Sequence, residues 1–273
     1  MSKSQHKLSK EQDQEIAKLH LGGMKIGEIA NYFGVHPDVI RVSLKYEGVT
    51  PNLYRVHIKE DAFSNLFDEH SCYWLGFIYA DGCVSNKKYP TFSVKLKQGD
   101  KEHLDKLRKF LEIETPIHAC ITKSKGIEYE QVYIHSSNGN FSARLRELGI
   151  EVGRPNPSHA LKEIPHPMYN HFFRGMFDGD GCAHKYPRFT FLSQETMLEA
   201  LRKDLIQKGL VSDVRKVYQT GKIHRIDYNG LQQCLNIKKY LYESATVFME
   251  RKLNVVNSWS KQTATLYKKI HET

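Results

Sequence analysis

Two aspartates lie near the ends of two similar apolar segments. Asp81 lies in residues 74–82 (Trp-Leu-Gly-Phe-Ile-Tyr-Ala-Asp-Gly) and Asp180 in residues 173–181 (Phe-Arg-Gly-Met-Phe-Asp-Gly-Asp-Gly). Two carboxylates forced together repel each other, and a divalent cation between them relieves that repulsion. Hard oxygen ligands with space for water and a phosphate suit Mg²⁺. If the fold brings the two aspartates together, they are therefore candidates for a metal-dependent hydrolysis of phosphodiester bonds.

Small residues one helical turn apart precede both aspartates. They are Gly76 with Ala80, and Gly175 with Gly179. This spacing predicts two helices that pack until their backbones touch. Glycines directly after the aspartates, at 82 and 181, are expected to end the helices and leave the two carboxylates side by side. We expect Ala80 and Gly179 to contribute to the metal site together with the aspartates.

The two segments belong to an internal repeat with a period of about 100 residues. Residues 88–93 recur at 185–190, and residues 104–111 recur at 198–205. Each copy has the pattern of a helix, two strands, a helix, two strands and a helix. The sequence therefore predicts a mixed α/β (α+β) fold with a first copy at 71–154 and a second at 155–273, which begins with a proline-rich link between the copies.

The predicted strands alternate apolar with polar side chains, so each sheet has one polar face. Such a face could lie along DNA, although a face that is merely solvated is the simpler alternative. The candidate DNA-binding residues of the two copies are Lys87, Ser93, Lys95, Lys97, Gln131, Tyr133, His135, Arg188 and Arg215.

Residues 1–46 have the spacing of a helix-turn-helix module. Ala30 is small where two helices would cross, and Gly34 suits the left-handed turn between them. The last helix would enter a major groove with His36, Arg41 and Lys45 on its outer side. A three-helix cap that only packs is the alternative. Residues 47–70 have the composition of a linker.

Composition favours a polyanionic partner and a reducing compartment. Forty Lys and Arg against 31 Asp and Glu leave a formal charge of +9, which suits a nucleic acid. The five cysteines are scattered without a C-x-x-C pair, so neither disulfides nor a structural zinc site is indicated. With no signal peptide and no apolar run long enough to span a bilayer, we expect a cytoplasmic protein.

Residues 74–82 and 173–181 resemble the nine-residue signature of LAGLIDADG homing endonucleases, and two copies in one chain match the single-chain members. The resemblance covers residues 70–258. It implies two halves related by a pseudo-twofold axis that form a saddle for double-stranded DNA. It also implies a monomeric, Mg²⁺-dependent endonuclease of the kind involved in intron homing, which cuts both strands at a long site.

Two lysines are candidates for the basic group of the active site. Lys162, in Lys-Glu-Ile-Pro, resembles a block of intein-type relatives in which the lysine stabilises charge on the phosphate. Lys252 ends the second copy in a comparable place, and a surface role remains the alternative for both.

The sequence also departs from the pattern. Tyr79 replaces an aspartate that the second copy keeps as Asp178, at a position where the family uses it more for helix packing than for metal binding. Prolines 155 and 157 stand where a lysine is common, so the basic residue of the first active site stays open.

Two other functions use the same parts. Some transcription regulators join a helix-turn-helix to a LAGLIDADG-like domain that has lost its acids, but here both acids remain. Some family members are intron maturases, for which RNA would be a further partner.

Overall fold

The computed structural model describes residues 8–22, 24–49, 57–85, 91–124, 126–150 and 158–260. The chain divides into two compact units, Met1–Arg55 and Val56–Thr273. Lys87 and the prolines at 155 and 157 lie outside the described residues. No helix in the described part of the chain is long and apolar enough to cross a membrane.

The first unit contains three short helices: α1 (Lys10–Leu21), α2 (Ile26–Phe33) and α3 (Pro37–Tyr46). The side chains of Ser9 and Gln12 cap α1 reciprocally. Gly34 ends α2 with φ +65°, which is the left-handed conformation expected for the turn. The shared core is formed by Ile16, Ala17, Ile29, Ala30, Ile40 and Leu44. The three expected helices are present, and their DNA-binding role stays a prediction.

The second unit begins with a helix, a four-stranded sheet and further helices. The elements are α4 (Glu69–Asp81), β1 (Gly82–Val84), β2 (Phe92–Lys97), α5 (Lys101–Phe110), β3 (His118–Ser124), β4 (Ile127–Ser136) and α6 (Gly139–Glu147). The strand order is β1-β2-β4-β3, and every pair is antiparallel. This is the order of helices and strands that the sequence predicts.

The second copy repeats this arrangement. Its elements are α7 (Ser158–Glu163), α8 (Tyr169–Asp180), β5 (Cys182–Ala183), β6 (Arg188–Ser193), α9 (Glu195–Gln207), β7 (Tyr218–Thr220), β8 (Ile223–Asn229), α10 (Leu231–Tyr242) and α11 (Glu250–Asn257). The strand order β5-β6-β8-β7 is again antiparallel and equals that of the first copy. The mixed α/β fold with two four-stranded sheets is confirmed.

The segment 47–70, expected to be a linker, is partly core. Ile58, Ala62, Phe63 and Leu66 are buried in the same cluster as the rest of the second unit. The ring of Phe63 packs 5.9 Å from that of Phe141 in α6, and Arg144 donates to the carbonyl of Phe63 at 3.0 Å. The linker assignment is therefore wrong for residues 58–66, because their apolar side chains are buried and Phe63 packs against α5 and α6.

Candidate active site and nucleic-acid interface

Helices α4 and α8 pack with their backbones in contact. A Cβ placed on Gly76 would lie 2.0 Å from the carbonyl oxygen of Phe172. One on Gly175 would lie 1.9 Å from the carbonyl oxygen of Tyr73. Real side chains do not tolerate such distances, so only glycine allows the two helices to approach this closely. The small residues of the two similar segments thus allow the backbones of the two repeats to touch.

The glycines after the aspartates end the two helices, as expected, without taking the left-handed conformation. Gly82 has φ −83° and Gly181 has φ −70°, so neither is left-handed. A Cβ on Gly82 would lie 2.5 Å from the carbonyl oxygen of Ile78, and one on Gly181 would lie 2.6 Å from that of Phe177. Glycine is needed because the chain turns directly from each helix into a strand across its own last turn.

The two helices converge at the aspartates. A Cβ on Gly179 would lie 2.3 Å from the Cβ of Ala80 and 3.1 Å from Oδ2 of Asp81. Burial raises the pKa of Asp81 to about 7, and repulsion from Asp180 adds to the rise. Asp180 keeps solvent-exposed surface, yet the protein packed around it raises its pKa to about 6. Ionising both carboxylates is therefore costly unless a cation compensates them.

The buried side chain of Lys252 binds the backbone carbonyls at the C-terminal end of α8. Its Nζ donates to the carbonyl oxygens of Phe177 at 2.6 Å, Gly179 at 3.0 Å and Gly181 at 2.7 Å. These bonds use all three donors of the ammonium group. Burial lowers the pKa of Lys252 to about 8, and its charge in turn lowers the pKa of Asp81 and Asp180. Lys252 thus positions the end of α8, and its expected role as a basic group of the active site stays a prediction.

The contacts of the other expected site residues do not decide their roles. Lys162 is exposed on α7, and within the described residues no contact links it to Asp81 or Asp180. The carbonyl of Gly179 accepts the bond from Lys252, although a carbonyl oxygen has a second lone pair for another ligand. The catalytic role of Lys162 and the metal-binding roles of Ala80 and Gly179 stay predictions.

Asp178 is a buried structural acid. Its carboxylate accepts from the hydroxyls of Tyr73 at 2.8 Å and Tyr242 at 2.7 Å, and from the backbone N–H of Met249 at 2.8 Å. It thus ties α8 to α4 and to the segment before α11. In the first copy, Tyr79 takes this position and donates to the carbonyl of Leu148 instead. Both arrangements fit the packing role expected for this position.

Sequence reasoning missed Arg174, which is fully buried beside the signature helices. Arg174 forms an ion pair with Glu69 at 2.5 Å and donates to the carbonyls of Val247 at 2.9 Å and Leu241 at 2.8 Å. Glu69 also accepts from the backbone N–H of Thr246 at 2.8 Å. The one signal in the sequence is an arginine where the first copy has an apolar residue. The pair fixes the start of α4 to the second copy.

The first sheet presents the predicted polar face. Ser93 pairs with His135, Lys95 with Tyr133 and Lys97 with Gln131 across β2 and β4, while the residues between them are buried. The His118 and Tyr133 rings stack 5.1 Å apart, and the Nζ of Lys95 lies 5.7 Å from the centre of the Tyr133 ring. We name this set, Ser93, Lys95, Lys97, His118, Gln131, Tyr133 and His135, the first polar face.

The second sheet presents a polar face of different chemistry. Arg188 lies on β6 as predicted, and Arg215 is exposed between α9 and β7. Sequence reasoning did not identify the other members, which surround Asp227 on β8. We name the set Arg188, Thr190, Tyr218, Arg225 and Asp227 the second polar face.

In the first unit, the candidate DNA contacts lie on the surface of α3. His36 caps the helix by accepting from the N–H of Asp38 at 3.3 Å. Arg41 forms an ion pair with the side chain of Asp38, and Lys45 is exposed in the last turn. Their contact with a major groove stays a prediction.

The donor set fits a hard divalent cation. Within the described ranges, no three His, Cys, Asp or Glu side chains are close enough to hold a metal between them. Two carboxylates with raised pKa values, together with backbone carbonyls, leave most coordination positions to water or a phosphate. Mg²⁺ is commonly held in proteins by one or two carboxylates with several waters retained.

Comparison with known proteins agrees with this geometry. Residues 68–149 match the profile of the family described as LAGLIDADG-like domain. The homing endonuclease I-WcaI, solved bound to its DNA recognition sequence, superposes with a TM-score of 0.53 at 14% identity, over 77% of this chain and 96% of that one. The chain has the LAGLIDADG fold. Helices α4 and α8 are its two LAGLIDADG helices.

Two further solved structures superpose at lower scores. I-DmoI in complex with DNA and Ca gives a TM-score of 0.46 at 13% identity, over 73% of this chain and 97% of that one. Full-length DUF199/WhiA from Thermatoga maritima gives 0.44 at 15% identity, over 78% of this chain and 70% of that one. Among curated protein sequences no match is found.

Proposed function

We propose that this protein is a site-specific endonuclease that hydrolyses both strands of double-stranded DNA with a divalent metal ion. One observation carries the proposal. Asp81 and Asp180 lie at the converging ends of two touching helices, where burial and mutual repulsion hold the pKa of Asp81 near 7. A chain that needed these helices only for packing would gain stability by replacing both acids with neutral residues.

The two carboxylates would hold a divalent metal ion, and the carbonyls of Ala80 and Gly179 would be further ligands. A bound Mg²⁺ would activate water for attack on the phosphate and offset the charge that develops on the leaving oxygen. Lys252 bonds the carbonyls of Gly179 and Gly181, on either side of Asp180, and so positions the backbone that carries this aspartate. Lys162 supplies positive charge to the phosphate from α7.

Both polar faces serve DNA binding in this proposal. Lys95 and Lys97 on the first face, and Arg188 and Arg225 on the second, provide cations for a polyanion along both sheets. I-WcaI, which has the same fold, was solved bound to its DNA recognition sequence. Because both aspartates come from one chain, a monomer contains a complete site and needs no partner subunit.

A randomised double-stranded DNA library tests the proposal. The full-length protein is incubated with the library in Mg²⁺, in Ca²⁺ or in EDTA, and the cut ends are sequenced. We expect one long preferred site, cut on both strands in Mg²⁺, with binding but little cutting in Ca²⁺ and no cutting in EDTA. Binding to a preferred site without cutting in Mg²⁺ or Mn²⁺ would refute the endonuclease and favour a DNA-binding regulator.

A further inference from the structure

Asp227 lies at the centre of the second polar face and holds two arginines. Arg188 Nη2 is 3.1 Å from Oδ2 of Asp227, and Arg225 Nη2 donates to Oδ1 at 3.0 Å. The hydroxyls of Thr190 and Tyr218 donate to the same carboxylate. Hydrogen bonds and the neighbouring positive charges outweigh partial burial and lower the pKa of Asp227 to about 2. The carboxylate is therefore ionised and fully engaged.

Part of each guanidinium group is directed away from Asp227, although Arg188 also bonds the side chain of Tyr186. Arg188 and Arg225 each direct the edge formed by Nε and Nη2 toward Asp227, and their side chains stay 21% and 28% exposed. Two arginines against one aspartate leave a net charge of +1 at this place. An arginine fixed in this way presents its remaining N–H groups in one direction, which reduces the entropy lost when it binds a ligand.

Strand register places this group near the active site. Cys182, two residues after Asp180, pairs with Thr190, and Thr190 pairs with Asp227. Two strand spacings, about 10 Å, therefore separate Asp227 from the start of β5. A DNA duplex cut at Asp180 would present base pairs close to the scissile phosphate to Arg188 and Arg225.

The first polar face has no equivalent group. At the register positions that correspond to Thr190, Asp227 and Arg225, it has Ser93, His135 and Tyr133. The stacked rings of His118 and Tyr133, with Lys95 over Tyr133, replace the two fixed arginines there. The two halves of the chain thus present different chemistry to the two halves of a DNA site, even though their backbones repeat.

We propose that Arg188 and Arg225, oriented by Asp227, read guanine bases in the half-site bound by the second sheet, close to the point of cleavage. The inference rests on the proposed function. A guanidinium that donates two parallel hydrogen bonds matches the O6 and N7 acceptors of guanine in the major groove. Asp227 itself touches no base and acts as a positioning residue. A merely structural ion pair would not set base preference.

Base-preference profiling of variants tests this reading. Full-length wild type, Asp227→Asn and Arg225→Lys are each used to select binding sites from a randomised duplex library in Ca²⁺. Asp105→Asn is the matched control, because Asp105 pairs with Arg108 and Lys109 on α5, a helix that contributes no residue to either polar face. We expect guanine to be enriched at positions of one half-site and the enrichment to fall roughly tenfold in Asp227→Asn and Arg225→Lys, but not in the control.

The affinity for non-specific DNA distinguishes a loss of base recognition from a loss of positive charge. Asp227→Asn removes a negative charge, so its binding to non-specific DNA should stay equal or rise, while Arg225→Lys keeps the charge and loses only the paired geometry. Unchanged guanine enrichment in both variants would overturn the proposal, and Arg225→Lys decides if Asp227→Asn fails to fold. If wild type selects guanine but never cuts, the proposed endonuclease activity is refuted and the proposed recognition of guanine is not.

Discussion

The ammonium group of Lys252 donates a 2.7 Å hydrogen bond to the carbonyl of Gly181, the residue that follows Asp180. The same group donates to the carbonyls of Phe177 and Gly179, so one buried cation satisfies three carbonyls at the C-terminal end of α8. Its positive charge lies close enough to lower the pKa of both Asp81 and Asp180. This lysine therefore links the position of the acidic pair to its ionisation.

Replacing Lys252 by Met should destabilise the protein and slow cleavage together. The change leaves three carbonyls without their donor and removes the cation from beside two acids, which should cost about 2–4 kcal/mol in free energy of unfolding. Urea denaturation measures this loss. Lys106→Met is the control, because Lys106 is exposed and pairs with Glu250 on the surface, so its loss should stay below about 1 kcal/mol. Equal losses would contradict the role given to Lys252.

Gly175→Ala should separate the two LAGLIDADG helices. The added Cβ has no space against the carbonyl of Tyr73, so α4 and α8 must move apart at a cost of about 3 kcal/mol or more. Gly139→Ala is the matched control, because a Cβ there meets nothing within 4 Å and alanine favours the helix by up to about 1 kcal/mol. If both variants unfold at the wild-type urea concentration, the helix contact is not as close as described.

The stability of the metal-free protein should fall as pH rises from about 4 to about 7. Asp81 and Asp180 have folded-state pKa values of about 7 and 6, above their ordinary 3.8, so the folded state holds protons that the unfolded chain releases. Their contribution to stability is complete below pH 4 and is lost as pH rises through the folded pKa values.

Asp81→Asn isolates this effect. The variant keeps the size of the side chain without its ionisation. At pH 8 in EDTA its free energy of unfolding should therefore exceed that of wild type by on the order of 2 kcal/mol. At pH 4 the difference should vanish. Urea denaturation of both proteins at pH 4, 6 and 8 gives the comparison, and parallel pH dependences would show that Asp81 ionises normally.

Removing residues 1–57 should weaken DNA binding without abolishing cleavage. The first unit has its own core, and the second unit keeps Ile58 and both aspartates. We expect lower affinity and a shallower salt dependence, because fewer phosphate contacts release fewer counterions. Gel shifts over a range of salt, with cleavage measured at high enzyme concentration, give the result. A folded truncated protein that cuts at no concentration would show that the first unit is part of the catalytic machinery.

The sequence predicts the fold well where the pattern of side-chain types has the period of a strand, a helix or the internal repeat. The repeat and the alternation of residues 92–97 give the order of elements and the outward direction of Lys95 and Lys97, and small residues at helical spacing give the contact between α4 and α8. The segment 58–66 was missed because its few apolar residues follow no helical or strand period. Their burial depends on packing against α6, which is distant in sequence.

The candidate site is only partly predictable for a similar reason. Asp81 and Asp180 stand in matching segments, so comparison of the two copies identifies them. Arg174, Asp227 and Arg225 have no counterpart of like chemistry in the first copy, and their importance arises from contacts between distant strands and helices. The sequence identifies Lys252 as a basic residue near the end of the repeat. It does not show that all three donors of the ammonium group bond to backbone carbonyls.

Cleavage of a supercoiled plasmid by Asp180→Asn tests the central claim most directly. The plasmid carries the site selected by the wild type, and binding of each protein to the same site is measured by gel shift. Asn keeps the size of the side chain at the helix end, so the variant should fold and bind within a few-fold of wild type. We predict that it cuts both strands at least about a hundredfold more slowly in Mg²⁺, with no accumulation of a cleanly nicked product, because both acids serve the same metal site. Full-rate conversion to linear plasmid by the folded variant would contradict the proposed active site.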